Sequence, residues 1–133
     1  MMYMLDTNIC IYIIKHKPKS VIDRFKKLNN ASIYISSITY SELLYGAEKS
    51  ANVAKNLLAL TMFLSNIEIL PYDESASIDY GFIRAKLEKN GMTIGALDML
   101  IAAHAKSLNI TLVSNNLKEF KRVDGLKLEN WVE

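Results

Sequence analysis

Apolar and polar residues follow one another in blocks that switch between the period of a strand and that of a helix. Tyr3-Met4-Leu5 is a short apolar run stopped by Asp6-Thr7-Asn8, residues that favour turns and helix N-caps. Ile9, Tyr12, Ile13 and Lys15 then recur at helical spacing, so the opening predicts strand, tight turn and helix. Pro18 and Ser20 interrupt the pattern, after which Val21, Phe25 and Leu28 mark a second helix ending at the breaker pair Asn29-Asn30. Ala31 to Ser36 alternates about Ile33 and Ile35, as a strand does. Thr39-Tyr40-Ser41-Glu42 has the spacing of a capping box and predicts a helix start, with Glu42 in its first turn. Leu43, Leu44 and Ala47 continue that helix, and residues 51–64 are helical again.

Ile67 to Leu70 reads as a third strand, stopped by Pro71; Asp73 or Ser75 caps a long helix through Ile78, Phe82, Ile83 and Leu87 to Asn90-Gly91. Ala96 to Leu108 is almost continuously apolar and predicts a buried central helix. Ile110 to Val113 is a β-branched strand, Ser114-Asn115-Asn116 a turn, and Leu126-Lys127-Leu128 a final edge strand. Strands separated by helices need crossover connections, so the pattern predicts an α/β chain whose mostly parallel sheet of four to five strands is covered on both faces.

Length and composition agree with one folded domain over residues 1–133, since half the residues are hydrophobic and 23% are charged. The lone Cys10, inside Ile9-Cys10-Ile11, reads as a buried small hydrophobe in a reducing compartment. The opening Met-Met-Tyr-Met-Leu-Asp lacks the charge and hydrophobic order of an export signal, and no apolar stretch is long enough to span a bilayer, so a cytoplasmic protein with no membrane partner is expected. The net charge of +2 says little, but its distribution says more. Among the first 30 residues Lys15, Lys17, Lys19, Arg24, Lys26 and Lys27 face only Asp6 and Asp23, a local excess of four positive charges that suits a polyanionic substrate.

In a parallel α/β sheet, ligands bind beyond the carboxyl ends of the strands. Asp6 follows the first strand, Glu42 lies near the start of the helix after the second, and Asn116 lies in the turn after the fourth. Asp98 stands among Ala96, Leu97, Met99, Leu100 and Ile101, where an unpaired carboxylate is costly. No lysine or arginine lies within seven residues of Asp6 or Asp98, and only Lys49 lies that near Glu42. Acids gathered without cations repel one another and favour a hard divalent ion, Mg²⁺ or Mn²⁺, which takes oxygen ligands and phosphate oxygens. Zinc is disfavoured because Cys10, His16 and His104 show no ligand spacing. His104 reads as a packed core histidine, and Tyr40, Tyr45, Phe82 and Trp131 as core or interface residues. A receiver-type signalling domain is set aside, because Ser36-Ser37 and Leu70-Pro71 end the middle strands where its phosphoacceptor Asp belongs.

The segments Met4-Leu5-Asp6-Thr7-Asn8, Ser41-Glu42-Leu43-Leu44-Tyr45-Gly46, Ile94-Gly95-Ala96-Leu97-Asp98-Met99 through Ala105, and Leu112-Val113-Ser114-Asn115-Asn116 through Phe120, with the ending Glu129-Asn130-Trp131, occur in the order and spacing of PIN-domain proteins. Across essentially the whole chain the sequence resembles the VapC-type toxins of bacterial toxin–antitoxin pairs. The resemblance implies a three-layer α/β/α PIN-like fold and a Mg²⁺- or Mn²⁺-dependent endoribonuclease. It also implies a homodimer neutralised by a VapB-type antitoxin, in an assembly that binds operator DNA through the antitoxin, and tRNA, initiator tRNA above all, as the RNA substrate. Asp6, Glu42 and Asp98 match the family's three acidic positions as metal ligands. Thr7 or Asn8 would support Asp6, and Ser114 would hydrogen-bond within the site. The chain departs from the pattern at Asn116, where many relatives have a fourth aspartate, and Glu119, one helical turn on, would supply that charge.

Overall fold

The computed structural model describes residues 1–28 and 32–132. The breaker pair Asn29-Asn30 and the first residue of the second expected strand, Ala31, lie outside the described residues. Five short strands, β1 (Tyr3–Leu5), β2 (Ile33–Ser36), β3 (Glu68–Leu70), β4 (Thr111–Val113) and β5 (Leu128–Glu129), form one sheet in the order β3-β2-β1-β4-β5. Every pairing is parallel, with Tyr3 opposite Ile33 on one side and opposite Thr111 on the other. Parallel neighbours require long connections, and the intervening segments supply α1 (Thr7–Ile14), α2 (Lys19–Lys27), α3 (Ser37–Glu48), α4 (Val53–Leu64), α5 (Glu74–Lys89), α6 (Ala96–Leu108) and α7 (Leu117–Phe120).

Because successive strand residues point to opposite faces, the sheet divides the core in two. Tyr3, Leu5, Ile33, Ile35 and Val113 pack with Ile9, Ile13, Val21, Leu43 and Leu60 of α1 to α4. Met4 and Leu112 face the other way and pack with Ile83 and Leu87 of α5, with Met99, Ile101 and Ala102 of α6, and with Phe120. This gives the three layers that the spacing and the resemblance implied. Cys10 is buried, and burial lifts its thiol well above the ordinary range. No helix among the described residues is long and apolar enough to cross a membrane.

One expectation is corrected. Helix α3 starts three residues early, because the Ser36 hydroxyl accepts from Ile38 N (3.1 Å) and caps it. Thr39 is instead buried within the first turn, its hydroxyl without a hydrogen-bond partner, and Glu42 falls in the second turn. Of the aromatics read as core or interface, Trp131 is buried against Tyr3, whereas Tyr45 and Phe82 are largely exposed.

Candidate active site

The sheet carries its polar residues at the carboxyl ends of the central strands, β1 and β4, and this end is where the acids meet. Asp6 leaves β1 with its N–H bonded to Val113 O (3.0 Å), and its carboxylate caps α1 by accepting from Ile9 N (3.0 Å). Buried Ser114, at the end of β4, hydrogen-bonds to the Asp6 side chain, and the same Ser114 hydroxyl accepts from Asn116 N (2.9 Å). Capping one helix and touching the neighbouring strand's exit fixes the Asp6 carboxylate in place. Desolvation still dominates: burial, and then Glu42, raise the Asp6 pKa against the lowering effects of Ser114 and Ile9 N.

Glu42 approaches from α3. Thr7 Oγ1, in the first residue of α1, donates to Glu42 Oε1 at 2.6 Å, a short charge-assisted bond across 35 residues of sequence. Thr7 was expected to support Asp6; it orients Glu42 instead, and Asn8 is exposed on the helix surface. Asp98 enters from the first turn of α6, half-buried. Asn116 Nδ2 donates to Glu119 Oε2 (2.8 Å) and lies 3.4 Å from Asp98 Oδ2, so one neutral amide holds the two acids on either side of it. The four-residue helix α7 brings Glu119 back over Asn116, as the spacing of three predicts. Asn116 and Glu119, the two residues expected to compete for the fourth position, are thus in direct contact beside Asp98.

The electrostatic consequence concentrates on Asp98. Desolvation, followed by repulsion from Asp6 and Glu119, a hydrogen bond with Glu119 and repulsion from Glu42, pushes its pKa to about 6. None of these four carboxylates takes part in an ion pair among the described residues. An array of negative oxygens with hydroxyl and amide partners suits a hard cation that retains water. It is not a ready-made chelate, however. Among the described residues no three His, Cys, Asp or Glu side chains stand close enough to grip one ion together, so the expected three-ligand set Asp6, Glu42 and Asp98 is not preformed. The donor chemistry fits an ion bound by pairs of carboxylates, with water completing its shell.

His104 takes no part in this array. It is buried, its Nδ1 lies 2.7 Å from Ser36 Oγ, and burial holds its pKa below the ordinary value. Two contacts escaped sequence reasoning, Thr7 to Glu42 and Asn115 Nδ2 to Tyr12 OH (3.0 Å), because each joins residues far apart in the chain. The one available signal was the run of short polar residues following both central strands.

Comparison with known proteins agrees with this geometry. The model of the PIN domain family matches residues 3–126. The tRNA(fMet)-specific endonuclease VapC of Shigella flexneri is 49% identical over 129 residues, covering 97% of each chain. Ribonuclease VapC2 of Haemophilus influenzae is 49% identical over 130 residues, covering 98% of each. Among solved structures, VapBC2 from Rickettsia felis, bound to a DNA fragment from its promoter, superposes with a TM-score of 0.92 at 45% identity over 98% of this chain and 99% of that one. With a matching fold and near-complete coverage, the chain belongs to the PIN-domain family, in its VapC ribonuclease branch.

Proposed function

We propose that the protein is a divalent-metal-dependent endoribonuclease acting on tRNA, with the initiator tRNA as its substrate, and that a VapB-type antitoxin neutralises it. The observation that carries the chemistry is the convergence of Asp6, Glu42, Asp98 and Glu119 with no lysine or arginine among them. The substrate and the partner rest on likeness: relatives are named for cleavage of tRNA(fMet), and similar solved structures are VapBC complexes, some bound to DNA. The same likeness supports a homodimer and an assembly that reaches operator DNA through the antitoxin.

On this reading Asp6 and Asp98 would hold Mg²⁺ or Mn²⁺, with Glu42 acting directly or through water, and a weaker second ion would depend on Glu119. A bound divalent ion supplies an activated water and offsets charge on the phosphodiester. The chain's own residues do the rest. Thr7 aims Glu42, Ser114 aims Asp6, and the Asn116 amide contacts both Glu119 and Asp98. Burial and the neighbouring acids hold Asp98 up at about 6, and a bound cation would offset that repulsion.

The test is cleavage of purified initiator and elongator tRNA with Mg²⁺, with Mn²⁺ and with EDTA. Cleavage confined to initiator tRNA and abolished by EDTA is expected. Cleavage unaffected by EDTA would overturn the metal reading, and indifference to the tRNA species would overturn the substrate.

A further inference from the structure

Helix α1 starts beside the acids, at Thr7, and closes about two turns further on in a turn that the site described above does not use. Lys15 is its C-cap, and His16 takes the left-handed conformation with φ 59°. His16 N bonds to Ile13 O (3.1 Å) and Lys17 N bonds to Tyr12 O (3.1 Å), the paired closure of a Schellman motif. These bonds tie Tyr12, Lys15 and Lys17 into one rigid unit. The three line a hollow of about 330 Å³ with Ile11 and Pro18, in the size range of small-ligand sites.

Three observations indicate what fills it. The Tyr12 hydroxyl accepts from Asn115 Nδ2, and Asn115 adjoins Ser114 and Asn116, so the ring is anchored to the turn that builds the acidic site. Ile11 and Lys15 also line a second groove that runs on to Glu42, so the hollow is continuous with the Glu42 side of the site. Lys15 and Lys17 are exposed and form no ion pair among the described residues, whereas Lys19 is engaged by Asp23 at 2.7 Å. An aromatic ring, an apolar floor and two free cations along the path to a phosphodiester-cleaving centre complement one flat base and its phosphates.

We propose that this hollow is a nucleotide subsite of the RNA groove, in which the Tyr12 ring stacks a base adjoining the cleavage site and Lys15 and Lys17 hold the flanking phosphates. The inference rests on the nuclease reading above and adds to it where the RNA lies.

Fluorescence anisotropy in EDTA, where no cleavage intervenes, measures binding of a labelled single-stranded RNA decamer and of a labelled anticodon stem-loop. Tyr12→Leu keeps an apolar side chain for packing but removes the ring, and should weaken binding about tenfold, while Tyr12→Phe keeps wild-type affinity. Lys15→Gln and Lys17→Gln should each flatten the dependence of log affinity on log salt by about 0.7. Circular dichroism confirms that each variant is folded. Wild-type affinity in Tyr12→Leu, or an unchanged salt slope in both lysine variants, overturns the subsite while leaving the nuclease reading intact. Variants that keep RNA affinity but lose a VapB-type partner assign the hollow to protein and likewise overturn it. A wild-type chain that neither binds nor cleaves RNA overturns both.

Discussion

The acids at the rim of the molecule and the acids at the strand ends are the same functional group in opposite circumstances. At the rim Asp23 lies 2.7 Å from Lys19 and Asp124 lies 2.6 Å from Lys86, and these lysines hold both carboxyls below the ordinary range. Glu88 pairs with Arg84, and Glu129 with Arg24, whose guanidinium also lies over the Trp131 ring. At the strand ends the partners of the acids are hydroxyls, an amide, a backbone N–H and one another, and the pKa values of Asp6 and Asp98 move upward. The four rim acids each have a cation from the chain itself, whereas the four at the strand ends have none among the described residues. The cluster is thus held together by the fold against its own repulsion.

The largest effect should come from removing a charge at the centre. Asp98→Asn or Asp6→Asn is expected to abolish tRNA cleavage, read by gel assay with Mg²⁺, while the metal-free melting temperature rises by a few degrees because repulsion is relieved. Retained cleavage in either variant would erase the distinction between the two sets of acids.

Orienting groups should matter less. Thr7→Val leaves Glu42 without its 2.6 Å donor and should weaken Mn²⁺ binding about tenfold in calorimetry. Glu119→Gln should reduce activity more than Asn116→Ala, because the first removes charge and the second only its guide. The reverse order would mean that the amide, not the glutamate, holds the site.

The pH dependence follows with a definite sign. Asp98 titrates near 6 in the folded chain and near 3.8 unfolded, and Asp6 is raised as well, so the folded state retains protons that the unfolded state has released. The contribution of Asp98 and Asp6 to metal-free stability should be greatest below about pH 4, fall as pH rises through 6, and then level off. Saturating Mg²⁺ should restore the loss, and melting curves across that range with and without Mg²⁺ measure it. The smallest effect is expected at the rim: Asp23→Asn should change neither cleavage nor its pH profile.

Much of this was legible in the chain. Three apolar residues followed by Asp-Thr-Asn set out β1, its exit and α1, and the apolar run from Ala96 made Asp98 conspicuous as a lone charge. The start of α3 is ambiguous locally because Ser36, Ser37, Thr39 and Ser41 all have capping chemistry, and the structure uses Ser36. The Thr7–Glu42 bond lies beyond local pattern, since it depends on where α1 and α3 meet, whereas the contact of Asn116 with Glu119 follows from their spacing of three. That Lys19 is already paired with Asp23 is a matter of rotamer geometry on α2, which composition counts alike with Lys15 and Lys17.

The central claim is that the strand-end acids are uncompensated until a divalent ion arrives. A carbon-13 NMR titration of the Asp98 carboxyl, without and with Mg²⁺, addresses it directly. An apparent pKa near 6 in the metal-free protein, falling by a unit or more when Mg²⁺ is added, is the predicted result. A carboxyl that titrates near 3.8 and ignores Mg²⁺ would contradict the account.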